Sequence, residues 1–119
     1  MKHNKFDLED RLVAFAGDVI LFLNELPNDK AANNLIGQLI QSSSSSALNF
    51  GEAQGAQSSR DQIHKLGISL KELKESRVAI KIMAYIKYGR TAKRNLLLLE
   101  CEELIAIIAT IIKNKKQTI

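Results

Sequence analysis

Apolar residues recur along the whole chain at the three- and four-residue spacing that is typical of α-helices. The first series steps by four, three, four, three and four through Leu8, Leu12, Phe15, Val19, Phe22 and Leu26. Such a seam forms the core-facing side of an amphipathic helix. Asp7 is placed to cap its start, and Pro27 ends it. The spacing therefore predicts a first helix over residues 8–26.

The second segment contains five consecutive serines, residues 42–46, a composition that also suits a flexible linker. The apolar period nevertheless continues through them, from Leu35 and Leu39 to Phe50. As helix, the serine run costs about 2–3 kcal/mol relative to alanine, which tertiary packing must offset. Small side chains let two helix backbones approach closely, which is one way to offset this cost. We predict one helix over residues 30–54, with Asp29 as its cap.

Two further periodic segments predict helices over residues 59–88 and 91–115. Ser58 and Asp61 resemble a capping box before the third helix, and Gly89 is the expected left-handed residue after it. Four helices joined by short loops predict an all-α, antiparallel, up-down-up-down four-helix bundle. The expected domain is single and spans residues 1–119, with flexible ends at 1–6 and 116–119. Helical hairpins exchanged between chains are the alternative.

Composition excludes several classes of protein. One Pro and six Gly in 119 residues are too few for the turns of an all-β chain. A single Cys excludes a disulfide framework and a cysteine-based zinc site. The amino-terminal residues lack the apolar stretch of a signal peptide, and no apolar run approaches the roughly 20 residues of a membrane span. These features predict a cytoplasmic protein in a reducing compartment.

Charge is unevenly distributed, although the formal net charge is only +4. Six bases and no acid lie between Arg77 and Arg94, and two tyrosines lie among them. Interleaved basic and aromatic residues are typical of single-stranded nucleic-acid binding. The predicted nucleic-acid-binding residues are Lys81, Lys87, Tyr88, Arg90, Lys93 and Arg94. Lysines at the chain ends, among them Lys113, Lys115 and Lys116, form a second basic cluster at the opposite end. The alternative is that these charges only keep a helical surface solvated.

Polar residues on the second and third helices predict a buried structural network rather than a catalytic site. Asn49 and Glu52 share one helix face, as do Glu72 and Glu75, and we expect pairing with an arginine such as Arg77. A carboxylate metal site is disfavoured because the chain has only two histidines, His3 and His64. Cys101 lies in the fourth apolar seam, so we expect a buried thiol without a catalytic role.

Two segments carry a resemblance to a known family. These are SSALNFGEAQGA, residues 45–56, and ISLKELKES, residues 68–76. They resemble the motifs of the four helix bundle proteins of S23 type, which are encoded by intervening sequences of bacterial 23S rRNA genes. Many members have Gly directly after the first motif's Glu, where this chain has Ala53. The resemblance implies a left-handed bundle similar to the accessory protein of diversity-generating retroelements. It also implies pentameric rings with basic surfaces proposed to contact nucleic acid or a reverse transcriptase, and no enzymatic activity.

The predicted function is a non-catalytic, oligomeric helical scaffold that binds nucleic acid, RNA above all, without a cofactor. Self-association is expected because the third and fourth helices carry more apolar surface than one bundle interior needs. The alternative is an adaptor ring that presents its surface to a partner enzyme. We expect no catalysis, because two histidines and no Gly-rich phosphate loop leave no catalytic constellation.

Overall fold

Residues 7–118 form four helices: α1 (Leu8–Asn24), α2 (Lys30–Gln54), α3 (Ser59–Tyr85) and α4 (Thr91–Gln117). The computed structural model describes residues 7–118, and no strand occurs within that range. The predicted all-α class is therefore confirmed, including the passage of α2 through the five serines.

The helices are arranged as the up-down-up-down order predicts. Each helix contacts its two neighbours around the bundle, α1 with α2, α2 with α3, α3 with α4, and α4 with α1. The diagonal pairs, α1 with α3 and α2 with α4, make no contact. The contact of α2 with α3 is the most extensive, whereas that of α1 with α4 is the least. The bundle is consequently more open along its α1–α4 side.

Buried serines account for the close packing of α2 on α3. Ser43 and Ser46 on α2 and Ser69 on α3 are completely buried. The hydroxyl of Ser69 donates to the Ser46 carbonyl across the contact at 2.7 Å. On α2 the hydroxyl of Ser43 donates to Leu39 O at 2.8 Å, so it is not left unpaired. Short side chains thus allow the two helix backbones to approach closely, while their hydroxyls donate to nearby main-chain carbonyl groups.

Side-chain caps begin three of the helices as the sequence predicts. The carboxylate of Asp7 accepts from Asp10 N at 3.3 Å, and that of Asp29 accepts from Ala31 N at 2.9 Å. The hydroxyl of Ser58 accepts from Asp61 N at 3.0 Å. Each cap satisfies one of the amides that a helix start leaves without an intrahelical partner.

The end of α3 differs from the prediction, because the helix stops at Tyr85 rather than at residue 88. Lys87 has the left-handed φ of 56°. Its amide donates to Ala84 O at 3.1 Å, and the Tyr88 amide donates to Met83 O at 2.8 Å. This is a Schellman ending with Lys87 at its C′ position, whereas Gly89, two residues later, is left-handed as expected but lies outside this motif.

Two other predicted boundaries are also corrected. The first helix ends at Asn24 rather than Leu26, since the amides of Glu25 and Leu26 turn back to Phe22 O and Leu23 O at 3.1 Å ahead of Pro27. The fourth helix continues to Gln117, so residues 116 and 117 are helical and not part of a flexible end. Lysines in that last turn are favourable at the negative end of the helix dipole. Residues 1–6 and 119 lie outside the described residues.

Candidate nucleic-acid interface

The α1–α2 and α3–α4 loops meet at one end of the bundle. The hydroxyl of Tyr88 donates to Pro27 O at 2.6 Å and thereby joins the two loops. Gly89 adopts a φ of 84°, and a Cβ there would lie 2.8 Å from Phe22 Cε1. Only glycine fits this position, because any side chain would be strained at this positive φ and would also overlap the Phe22 ring.

Arg94 belongs to the framework of this end, which corrects its assignment to the nucleic-acid-binding set. The residue is only 5% exposed. Its Nη1 donates to Tyr88 O at 2.8 Å and to Gly89 O, and its Nη2 donates to Thr91 Oγ1 at 3.3 Å. A guanidinium bound to the loop carbonyls in this way has no surface left for a phosphate.

Tyr88 and Lys93 are also engaged within the chain. Tyr88 is half-buried and packs against the hydrophobic core, so its ring does not offer a free face to a base. The Nζ atom of Lys93 lies 2.5 Å from Glu25 Oε2. The hydrogen bond from Lys93 lowers the pKa of the Glu25 carboxyl, and the charges of Lys93 and Arg90 lower it further. The positive charge of Lys93 is therefore largely offset by the Glu25 carboxylate.

Three of the six predicted residues remain exposed at this end: Lys81, Lys87 and Arg90. We call these three residues the basic tip. The Lys30 side chain, at the start of α2, is also exposed. Glu25 is paired with Lys93 and Asp29 caps α2, so among residues 7–118 neither acid forms an ion pair with the basic tip.

The exposed aromatic residue near the basic tip is Tyr85, with 89% of its surface exposed. The sequence places both tyrosines in the basic segment but does not rank them by exposure. Tyr85 lies seven residues after Val78 and shares its outer face, which only the structure shows to be exposed. Tyr88 follows the end of α3, where helical phase no longer applies.

The predicted polar network does not form as expected, because of the register between α2 and α3. Ser42 lies opposite Ser76, with their hydroxyls 2.7 Å apart. Arg77 is therefore level with Ser42, about 10 Å along α2 from Asn49. Glu52 instead pairs with Lys65 at 2.7 Å. The Asn49 amide donates to Ser45 O at 2.9 Å, within its own helix.

Glu72 and Glu75 lie together on the outer side of α3, where they line a groove of about 880 Å³ between α2 and α3. Partial burial raises the pKa of the Glu72 carboxyl, and a hydrogen bond with Glu75 and the charge of Glu75 raise it further. Lys71 opposes this effect. The pair is thus brought together as expected, but it lies apart from Asn49 and Arg77.

Cys101 is completely buried, as expected from its place in the seam. Its thiol donates to Leu73 O at 3.2 Å. Burial raises the pKa of this thiol to about 12, although the nearby charge of Arg77 lowers it. The thiolate, which is the reactive form, is therefore negligible at neutral pH.

Residues 7–118, the described part of the chain, contain no group of three or more His, Cys, Asp or Glu side chains arranged to hold a metal ion. His64 is exposed on α3, and His3 lies outside the described residues. Within the same range, no helix has both the length and the apolar character that crossing a bilayer requires.

Comparison with family models identifies the relatives of this bundle. Residues 5–110 match the model of the 23S rRNA-intervening sequence protein family. The chain belongs to this family. The match spans all four helices except the last turns of α4. The function of this family is unknown.

A solved crystal structure has a similar fold. A protein of unknown function from the S23 ribosomal protein family of Bacteroides thetaiotaomicron superposes with a TM-score of 0.79 at 25% sequence identity. The alignment covers 89% of this chain and 98% of that one. A search of curated proteins found no match.

Proposed function

We propose that this member of the 23S rRNA-intervening sequence protein family is a non-catalytic, oligomeric scaffold that binds nucleic acid, RNA in preference, through the basic tip. The observation that carries the proposal is the exposure of Lys81, Lys87 and Arg90 at an end where the neighbouring acids are already engaged. Cations that lack internal partners are available to phosphates.

The geometry of Lys87 supports this assignment. A non-glycine residue in the left-handed region costs about 1–3 kcal/mol, and such residues cluster at functional sites. Here the strained backbone holds an exposed lysine at the turn, beside the exposed ring of Tyr85. A base stacked on Tyr85 would bring its phosphates towards the same surface.

The expected binding is electrostatic and independent of base sequence. No side chain of the basic tip is held in the fixed, bidentate geometry that reads a base edge, so the contacts go to phosphates. Three neutralised phosphates per chain predict a slope of about −2 for log K against log salt on a single strand. An oligomer would multiply the number of contacts, and the resemblance to pentameric relatives favours a ring of five chains.

A gel-shift assay on single-stranded RNA at low salt tests the proposal. The test variant reverses the basic tip, Lys81→Glu, Lys87→Glu and Arg90→Glu. The matched control reverses Lys113, Lys115 and Lys116, which changes the net charge by the same amount at the opposite end. We expect the test variant to lose binding by at least tenfold and the control to retain most of it. Equal losses, or a larger loss in the control, would contradict the assignment.

A protein–protein adaptor is the second candidate function. It is favoured by large apolar side chains on the surface, among them Leu21, Ile82 and Leu96, which are 63%, 45% and 68% exposed. Salt titration separates the two functions. Binding to nucleic acid falls steeply with salt because counterions are released, whereas docking through apolar side chains does not.

A further inference from the structure

An apolar stripe runs along the outer side of the last turns of α3. Val78, Ile82 and Ile86 succeed one another at four-residue spacing, and they are 53%, 45% and 52% exposed. Three side chains of this size at that spacing form a continuous row about 12 Å long. Contiguous exposed apolar surface is a mark of interaction sites.

A groove lies between α1 and α4, on the open side of the bundle. Its volume is about 590 Å³, and its apolar lining comes from Phe15, Leu21, Phe22, Leu96 and Leu97. Leu21 and Leu96 lie at its edges and are both more than 60% exposed. The lining residues of α1 run from Phe15 to Asn24, a rise of about 13 Å, so the groove and the α3 stripe have similar lengths.

The stripe cannot reach the groove of its own chain. Because α1 and α3 are diagonal in the bundle and make no contact, the two surfaces face in different directions. Any contact between them must therefore join two molecules. It would be heterologous, with a different surface contributed by each copy.

Charges at the two surfaces are complementary. Asp18 lies in the groove, is exposed and has no ion-pair partner among residues 7–118. Glu100 and Glu25 also line the groove but are bound to Arg11 and Lys93. Exposed lysines, Lys74 and Lys81, flank the stripe on α3, with Glu75 towards α2. Seating the stripe in the groove would bring a lysine to the free Asp18 carboxylate.

We propose that the α3 stripe of one copy packs into the α1–α4 groove of a second copy, and that this contact builds the oligomer. The inference rests on the self-association in the proposed function and names the surfaces that produce it. Each copy then donates one stripe and accepts one. Repetition closes a ring if the rotation between neighbours allows closure. In a ring all basic tips lie on the same side.

Two half-interface variants test this contact in the absence of nucleic acid. Ile82→Glu places a charge on the stripe and leaves the groove intact, whereas Leu96→Glu places a charge at the groove and leaves the stripe intact. Both side chains are exposed, so neither change disturbs the core. Leu48→Glu is the matched control, because Leu48 is 67% exposed on α2 and belongs to neither surface. Masses are measured by light scattering, and folding is checked by circular dichroism.

We expect the wild type and the Leu48→Glu control to be oligomers, and each half-interface variant alone to have the mass of one chain, 13.3 kDa. An equimolar mixture of the two variants should form particles of twice that mass and no larger, since only one intact stripe and one intact groove can meet. Ile86→Glu and Leu21→Glu should reproduce this behaviour as an independent pair.

The outcomes separate this contact from the proposed function. A mixture that stays monomeric, while the wild type is oligomeric, would overturn the stripe-in-groove contact alone. A monomeric wild type would overturn self-association as well. Neither result decides nucleic-acid binding, which Lys87→Glu and Arg90→Glu test separately because neither residue belongs to the stripe or to its flanking lysines.

Discussion

The hydroxyl oxygens of Ser42 and Ser76 lie 2.7 Å apart in the buried contact between α2 and α3. Ser42 also lies 3.4 Å from Leu39 O, and Ser76 donates to Glu72 O at 3.0 Å. With Ser76 bonded to its own helix, its oxygen is free to accept the Ser42 proton. This hydrogen bond fixes the register of α2 against α3 in the middle of the bundle.

We expect Ser42→Ala and Ser76→Ala to be energetically coupled. Each single substitution leaves the other hydroxyl buried with a poorer set of partners, at a cost of about 1–2 kcal/mol. The double substitution removes both groups and should cost less than the sum, by about 0.5–1.5 kcal/mol. Urea unfolding of the four proteins measures the coupling. Strict additivity would mean that the two hydroxyls do not stabilise each other.

Gly89→Ala should lower the free energy of unfolding by about 2–4 kcal/mol, because the new methyl group combines positive-φ strain with overlap of the Phe22 ring. Gly37→Ala is the control. A Cβ at Gly37 meets open space within a helix, so the same change there should raise stability by about 1 kcal/mol. Thermal unfolding of both variants compares the two effects, and a shift of equal sign would refute the steric explanation.

Glu72→Gln should stabilise the protein at neutral pH. The folded carboxyl binds its proton more tightly than the unfolded one, since its pKa lies above the ordinary 4.5. Protonated Glu72 therefore stabilises the fold at pH values below the ordinary pKa of 4.5, and this stabilisation is lost as the pH rises through the raised pKa. The advantage of the glutamine should accordingly be seen at pH 7 and vanish under acid conditions. Glu102→Gln, at an exposed position on α4, is the matched control.

Much of the fold was predictable because a few polar residues at seam positions do not hide the helical period of the apolar residues around them. Ser42 and Ser46 occupy seam positions between Leu39 and Phe50, so the period identified α2 even where the composition suggested a linker. The end of α3 was not predictable in this way. Lys87 takes a position that glycine usually occupies, and its strain is offset by contacts of the next residues with the α1–α2 loop.

The candidate site was harder to predict, because charge along the sequence does not reveal which bases are already bound. Arg94 precedes Leu97 and Cys101 at the three- and four-residue steps of the seam, and that spacing is the signal that assigns it to the interior. Lys93 depends on its partner Glu25, which is 68 residues away in sequence. Pairings over such distances follow from the register of packed helices, which the pattern of one helix does not contain.

Lys87→Gly separates stability from nucleic-acid binding at a single residue. Glycine relieves the left-handed strain at the end of α3 but adds chain entropy to the unfolded state, so we expect a net gain of about 0.5–1 kcal/mol in the free energy of unfolding. The same change removes one exposed cation of the basic tip, which should weaken RNA binding severalfold and reduce the salt slope by somewhat less than one per chain.

Lys71→Gly is no match for Lys87→Gly because it would break α3, so Lys71→Ala serves as the charge control. Thermal unfolding and a salt-titrated gel shift of the same preparations give both quantities. A variant that is more stable and yet binds less tightly cannot owe its loss to unfolding, whereas unchanged binding would remove Lys87 from the interface.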